Sequence, residues 1–277
     1  MVKTGETKDA YEGVDALEQA IRRAHDYFLG ARHQEGYWWG ELESNPTMEA
    51  EYILLTHFLG VADQARWLKV ANHILSQQRP DGTWGQFYGA PGDLSTSTEC
   101  YFALKLTGVS SDEPLMRKAR DFILSKGGVP NTRVFTKIWL ALFGQWDWKG
   151  VPVMPPEMML LPNWFPVTIY DFSSWARATI VPLLIVMDRK PLKLIPDDAH
   201  VDELYPLPRD ETRYSTARPG PVVRWETLFY VGDTVLRQLD RLPWSPTRAR
   251  AIRRAEQWVL DHQEADGSWG GIQPPWV

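Results

Sequence analysis

A single cysteine in 277 residues, Cys100, leaves no internal disulfide framework and no cysteine-cluster zinc site. Positive charge is also short: 30 Lys and Arg stand against 35 Asp and Glu, a formal net charge of −5. A nucleic-acid partner, which needs a basic face, is therefore not expected. Long hydrophobic runs are missing, since the longest, Ala178–Met187, is too short to span a bilayer and contains Pro182. The N-terminal MVKTGETKDAYEG is polar and carries no signal-peptide pattern, which gives a cytoplasmic location as the expectation. Six histidines show no metal spacing, and the glycines sit in turns rather than in a phosphate loop. Neither a metal nor a cofactor is expected.

Aromatic residues are abundant instead. Fourteen tryptophans are several times the usual share, which points to a recurring aromatic device or an aromatic-lined cavity. The device is legible in Arg254–Trp269, RAEQWVLDHQEADGSW, where a helical pattern runs into Gln263, Gly267 and Trp269. Lys69–Trp84, KVANHILSQQRPDGTW, repeats it with Gln78, Gly82 and Trp84 at the same spacing. A third copy at Arg23–Trp38 keeps Gly36 and Trp38 but has Arg32 in the glutamine position. Physically this is a helix stop. Asp-Gly supplies the turn, glycine takes a left-handed backbone cheaply, and an indole and an amide are placed to stack and hydrogen-bond beyond it.

Apolar residues at three- and four-residue steps predict a helix over Asp15–Ala31. Met48–Leu59 follows with Thr47 as its cap, then Gln64–Gln77, and Leu94–Leu106 capped by Ser95 or Thr96. Pro114–Ser125 and Thr132–Gly144 make a further pair. Trp38 and Trp84 lie 46 residues apart, and Trp84 and Trp269 lie 185 apart, about four times as far. A period of about 40–50 residues with two helices each marks a helical-pair array. Strand signals are nearly absent, and about six such pairs could close into an α/α barrel with an inner and an outer ring. The proline-rich stretch 152–170 reads as an extended apolar loop. Phe172–Met187 resumes a helix with Ser173 as its cap and a kink at Pro182, and Lys190–Pro221 reads as charged surface loop. Val222–Leu239 is amphipathic, its apolar face carrying Val222, Trp225, Leu228, Phe229, Val235 and Leu239. Two readings stand open for it: packing against the array, or an exposed helix dipping into one leaflet.

The repeats, together with GYWWGELESNPTMEAEY, RVFTKIWLAL, FSSWARATIV and the terminal DGSWGGIQPPW, resemble the N-terminal part of squalene–hopene cyclases, proton-initiated class II terpene cyclases. The resemblance runs from about Asp15 to Trp276. It implies an all-α fold in which residues 41–277 form an α/α barrel of helical hairpins. Residues 15–40 would be a helix packing on a second, catalytic barrel absent from this chain, and residues 1–14 a disordered tail. It also implies an enzyme on the inner face of a membrane that draws squalene, or a similar polyprenoid, from the bilayer without a cofactor.

By the same resemblance Trp175, Phe135, Ile272, Gln273 and Pro274 face the substrate, the Trp175 indole steadying cationic character. Glu51, Glu99, Arg133 and Trp139 match residues at the cavity's far end, where the final cation is quenched by water or loses a proton. Phe172 and Ile180 match the apolar entry constriction. Gln78, Trp84, Gln263 and Trp269 tie helix ends together. Bland readings stand beside these: a core tryptophan for Trp175, a helix-anchoring ion network for Glu51, Glu99 and Arg133, and an apolar helix face for Phe172 and Ile180.

The family protonates an alkene with an acid in an Asp-x-Asp-Asp motif, and none occurs in these 277 residues. The nearest approach, Asp197-Asp198, follows Lys193, Leu194 and Pro196 in a charged loop and reads as solvated surface. Protonating an isolated alkene needs a strong, positioned acid. The chain is therefore expected to be inactive alone, as a fragment, a truncated product or one piece of a split enzyme. The alternative is a noncatalytic α/α barrel that binds lipid or a partner. A prenyltransferase-like barrel is disfavoured, because its zinc site needs a cysteine and Cys100 is the sole thiol.

Overall fold

The structure is a computed structural model describing residues 6–38, 44–214, 225–240 and 246–270. Side chains are described within these ranges except at 6–14, 225, 226, 228, 229, 239, 240 and 246. The described residues form helices, 3-10 turns and connecting loops, with no strand among them beyond one isolated bridge between Gly85 and Gly92. The chain divides between Glu43 and Ser44 into two units.

The first unit is helix α1, Glu6–Ala31, followed by the Gly36–Trp38 turn. The helix begins at Glu6, inside the stretch 1–14 that the resemblance implied to be a disordered tail. That stretch is polar but rich in residues that tolerate helical backbone, and helix formation asks no burial of it.

The second unit contains α2 (Thr47–Leu59), α3 (Gln64–Ser76), α4 (Leu94–Leu106), α5 (Pro114–Ser125), α6 (Val134–Leu142), α7 (Ser174–Arg189), α8 (Trp225–Asp240) and α9 (Pro246–Asp261). Two kinds of helix alternate through its first half. α3 buries a single stripe, Trp67, Ala71 and Ile74, and α5 buries Met116, Ala119 and Ile123. One buried stripe makes a helix the outer layer of a two-layer packing. α4 is buried all round, with only Leu94 and Leu106 of its thirteen residues reaching intermediate exposure. It packs on α2, α5 and α6, and α2 packs in turn on α3. α2, α4 and α6 therefore make an inner layer with α3 and α5 outside. A smaller apolar cluster joins Val181 and Leu184 of α7, Ala255 and Trp258 of α9, and the loop residues Met159 and Ile169.

Several element boundaries differ from the sequence reading, each for a local reason. Thr47 is not the cap of α2 but a buried residue inside it, and Asn45 Oδ1 accepts from its amide at 3.0 Å and its hydroxyl at 2.5 Å. The cap of α4 is Asp93, whose carboxylate accepts from the Thr96 amide at 2.8 Å. Ser95 and Ser97 are thereby free for longer-range bonds: Ser97 Oγ accepts from the Trp84 amide at 3.1 Å and Ser95 Oγ from the Arg133 amide at 2.9 Å. Ser173 stands at the α7 cap position without making a cap bond, and the helix continues through Pro182. Two 3-10 turns, Pro156–Leu160 and Ile169–Asp171, interrupt the loop expected to be extended.

The segment after Lys190 departs furthest from expectation. Ala199, Val201, Leu204 and Tyr205 are buried, three of them in the main core. Gln145 binds the segment, its side-chain oxygen accepting from the Val201 amide at 3.1 Å and its carbonyl from the Tyr205 hydroxyl. Lys105 adds bonds to the His200 carbonyl and, at 2.6 Å, to Glu203. A segment read as surface loop from its prolines and charges thus closes one side of the core.

The three Gly-x-Trp corners share one bonding pattern. In each, the indole Nε1 donates to the carbonyl ten residues earlier: Trp84 to Ile74 at 2.7 Å, Trp269 to Val259 at 2.6 Å and Trp38 to Phe28 at 2.5 Å. In each, the glycine has positive φ, at 85° for Gly82, 88° for Gly267 and 95° for Gly36. The glutamine amide donates to that glycine's carbonyl in the two full copies, Gln78 at 2.8 Å and Gln263 at 3.2 Å. Gln78 also reaches the Leu115 carbonyl on α5 at 3.2 Å, so this corner ties neighbouring hairpins. Where Arg32 replaces glutamine, its guanidinium lies 6.0 Å from the Trp38 ring centre. A carbonyl in the last turn of each helix thus receives a side-chain donor from the turn.

Candidate functional site

The inner helices bring Glu51, Glu99, Arg133 and Thr136 together. Glu51 stands on the second turn of α2, Glu99 on the second turn of α4, and Arg133 just before α6, with Thr136 and Trp139 following at three-residue steps. This spacing puts Arg133, Thr136 and Trp139 on one face of the α6 entrance. Glu51, Glu99, Thr136 and Trp139 are all buried, while Arg133 is partly exposed.

Bonding among these groups is dense. Arg133 Nη2 donates to Glu99 Oε1 at 3.2 Å, and the Thr136 hydroxyl donates to the same oxygen. Glu51 on α2 acts on the same Glu99 carboxyl. Burial pushes the Glu99 carboxyl above the usual carboxylate range, and the contacts with Arg133, Thr136 and Glu51 pull part of the way back. Cys100 lies beside the cluster, and burial first, then the nearby Glu99, raise its thiol well above its ordinary value. It stays neutral and adds no charge.

Such an arrangement can hold and hand over one proton in a dry setting. Two contacting acids next to a single guanidinium titrate as a pair, because like charges without water to separate them resist being ionised together. The ion-network reading of these residues and the proton-handling one share this geometry.

The residues named for the substrate side lie apart from that cluster in character. Trp175 opens α7 and is 50% exposed, so it is not a core tryptophan. Phe135, 40% exposed, stands at the head of α6, and Phe172 is at the exposed end of the loop before α7. Tyr170, Trp164, Phe165 and Val167 add further exposed apolar surface to that loop. Ile180 packs against the α7–α9 cluster and is partly buried. Ile272, Gln273 and Pro274 lie outside the described residues. A cleft of about 580 Å³ between the 147–156 loop and α7–α9 is lined by Trp148, Met154, Tyr214 and Arg237 among others, and by none of the candidate residues.

Thr136 is the site residue that sequence reasoning missed. A threonine in an apolar helical run carries no pattern, and its contact with Glu99 spans 37 positions. Asp197 and Asp198 are exposed, as expected of solvated surface. No group of three or more His, Cys, Asp or Glu among the described residues is arranged to hold a metal ion. No described helix is long and apolar enough to cross a membrane.

Comparison with known proteins adds the family. Residues 21–277 match the family model of the squalene-hopene cyclase N-terminal domain. The chain is 47% identical over 261 residues to a squalene–hopene cyclase of Alicyclobacillus acidocaldarius, with 94% of this chain and 41% of that protein covered. It is 40% identical to dammaradiene synthase of Dryopteris crassirhizoma, covering 94% of this chain and 38% of the other. Against a squalene–hopene cyclase of Zymomonas mobilis the identity is 39%, with 94% and 39% covered. The chain thus spans about two-fifths of the length of these relatives.

Proposed function

Because the chain belongs to the squalene-hopene cyclase N-terminal domain family, we propose that it forms one wall of a chamber in which squalene, or a similar polyprenoid, is cyclised. The reaction is an intramolecular rearrangement begun by a proton and ended by loss of a proton or capture of water. The observation that carries this reading is the Glu51–Glu99–Arg133–Thr136 cluster, buried except at Arg133, at the heads of three inner helices. A cation arriving there meets a carboxylate able to take its proton, or to take one from an attacking water.

In this reading the helical hairpins close into an α/α barrel, and Phe135, Phe172 and Trp175, each exposed, are turned to the hydrocarbon. Phe172 and Ile180 narrow the way in. Indole and phenyl faces stabilise a migrating cation without offering a nucleophile that would stop it. Gln78, Trp84, Gln263 and Trp269 hold helix ends while the cascade releases heat. Residues 15–40 serve as a helix docking on a catalytic barrel. α8 rests on the inner surface of a membrane, with Val231 and Val235 among its exposed residues.

The sequence holds no Asp-x-Asp-Asp acid, so initiation requires a proton donor outside these 277 residues. The test is a chimera in which residues 15–277 replace the matching part of the Alicyclobacillus relative. The chain alone should yield no cyclic triterpene from squalene, and the chimera should yield one. Glu99→Gln in the chimera should change the ratio of alkene to alcohol products. Cyclic product from the chain alone, or a folded chimera that makes none, overturns the proposal.

A further inference from the structure

Phe172 sits between two pieces of backbone that are held independently. Before it, the Ile169–Asp171 turn is closed by its own capping box: Asp171 Oδ2 accepts from the Thr168 amide at 2.6 Å and hydroxyl at 3.0 Å. After it, α7 begins at Ser174. Phe172 and Ser173 are extended between the two, with ψ of 148° and 158°. Ser173 makes no cap bond, so no side chain at the cap position fixes this junction. Arg177 does so instead. From the first turn of α7 its guanidinium reaches back five positions, and Nη1 donates to the Phe172 carbonyl at 2.5 Å. The same guanidinium lies 5.9 Å from the Tyr170 ring centre.

The guanidinium is not placed there for its own benefit. Its Nε is buried without a hydrogen-bond partner among the described residues, which is a cost that asks for a compensating use. What the side chain makes is a link between Phe172 and one face of α7. Arg177 and Ile180 stand three positions apart and share that face. Ile180 packs against the α7–α9 cluster, which gives the face a fixed footing. No other hydrogen bond between described residues reaches Phe172. Without Arg177 its ring would follow the freedom of an extended linker.

We infer that Arg177 is a positioning residue for substrate entry, which holds Phe172 at a set distance from Ile180 and so fixes the width of the passage. The inference rests on the reading of Phe172 and Ile180 as the way in for a polyprenoid, and it names what keeps that way open. A phenyl ring released into the gap competes with the chain that must pass it. Such competition raises KM and leaves kcat, which is set beyond the gap, unchanged.

Two measurements test this. Phe172–Ser173 is the one Phe-Ser step in the sequence, so isotope labelling of Phe carbonyls and Ser amides isolates the Phe172 carbonyl in the NMR spectrum of the chain. Arg177→Met should move that resonance upfield, and Arg177→Lys, which still carries a donor, should restore part of the shift. In the chimera, Arg177→Met should raise KM for squalene about tenfold with kcat within about twofold, and Arg177→Lys should recover much of it. In a Phe172→Ala background, Arg177→Met should change KM no further, because no ring is left to hold. Tyr170→Leu removes only the ring beside the guanidinium and should raise KM less, which keeps the test available where Arg177→Met does not fold. An unmoved carbonyl resonance overturns the inference. So does a chimera that cyclises squalene with its KM untouched by these variants, and that result leaves the proposed function standing. A folded chimera without product sinks that function and the entry role together.

Discussion

Asp233 and Arg237, one helical turn apart on α8, form an ion pair at 2.7 Å whose outer atoms bind backbone of residues 149–153. Asp233 Oδ1 accepts from the Val153 amide at 2.8 Å, and Arg237 donates to the Lys149 and Val151 carbonyls at 2.8 and 2.9 Å. The polar side of an amphipathic helix therefore anchors a loop by its main chain, independent of the loop's side chains. Asp233→Ala should speed amide exchange at Val153 by about tenfold, the equivalent of the ~1.5 kcal/mol typical of a charge-assisted bond. Hydrogen exchange resolved at that residue checks it, and unchanged protection refutes it.

The indole bond of the Gly82–Trp84 corner should matter more than its counterpart near residue 269. Trp84→Phe keeps most of the ring but removes the shorter of the two hydrogen bonds to the buried Ile74 carbonyl, leaving it the Gln77 amide at 3.2 Å. A loss of about 1 kcal/mol is expected, a drop of a few degrees in Tm for a unit of this size. Trp269 is only partly buried, so water can replace its donor and Trp269→Phe should cost less. Equal shifts in the two melts would contradict the burial argument.

Gly82 faces two demands at once. Its φ of 85° disfavours an L side chain, and an added Cβ would stand 2.3 Å from Lys118 Cβ on α5. Gly89, at φ 77°, has nothing within 4 Å of such an atom. Gly89→Ala should therefore cost only the backbone term of about 1 kcal/mol. Gly82→Ala should cost clearly more, since α5 must also shift. Urea denaturation of the two variants side by side measures the difference.

The sign of the pH dependence at Glu99 follows from burial. Its carboxyl binds a proton more tightly in the folded chain than in the unfolded one. Between the ordinary carboxylate value and the raised one, the folded state holds more protons, so stability falls as pH rises through that window. The full loss is present above it. Glu99→Gln should flatten this slope in denaturation curves taken across the acid range; an unaltered slope would show that Glu99 does not titrate with folding.

Lys105 is held by its bonds to Glu203 at 2.6 Å and to the His200 carbonyl. Tyr101 donates to the same Glu203 oxygen at 2.9 Å. Glu203→Gln would strand a buried ammonium, with an expected loss of about 3 kcal/mol. Pairing it with Lys105→Met should recover much of that loss, which a double-mutant cycle in thermal melts would show.

Much of the outer design was legible in the sequence because it is local. The Gly-x-Trp corners repeat a fixed spacing, and their indole bonds each close over ten residues, so the pattern and the geometry coincide. α3 and α5 were legible for the same reason, since one buried stripe leaves a periodic trace. α4 was found as a helix, but its caps were not. Ser95 and Thr96 have the chemistry of caps, yet Asp93 takes that work while Ser95 bonds across to Arg133, 38 positions away. The buried segment around Val201 was hidden by its charges, because what holds it is Gln145, 56 positions earlier. Glu51, Glu99 and Arg133 could be named only through resemblance, and the structure brings them together. Thr136 had no signal at all.

The burial of α4 on every side also bears on how freely the chain can vary. Eleven of its thirteen residues are buried, so almost every substitution there must satisfy neighbours in several directions simultaneously. α3 and α5, each touching the interior along a single stripe, can exchange their outward residues at little expense. A saturation library scored by folding should show α4 as a nearly unbroken band of intolerance, flanked by helices tolerant at two positions in three.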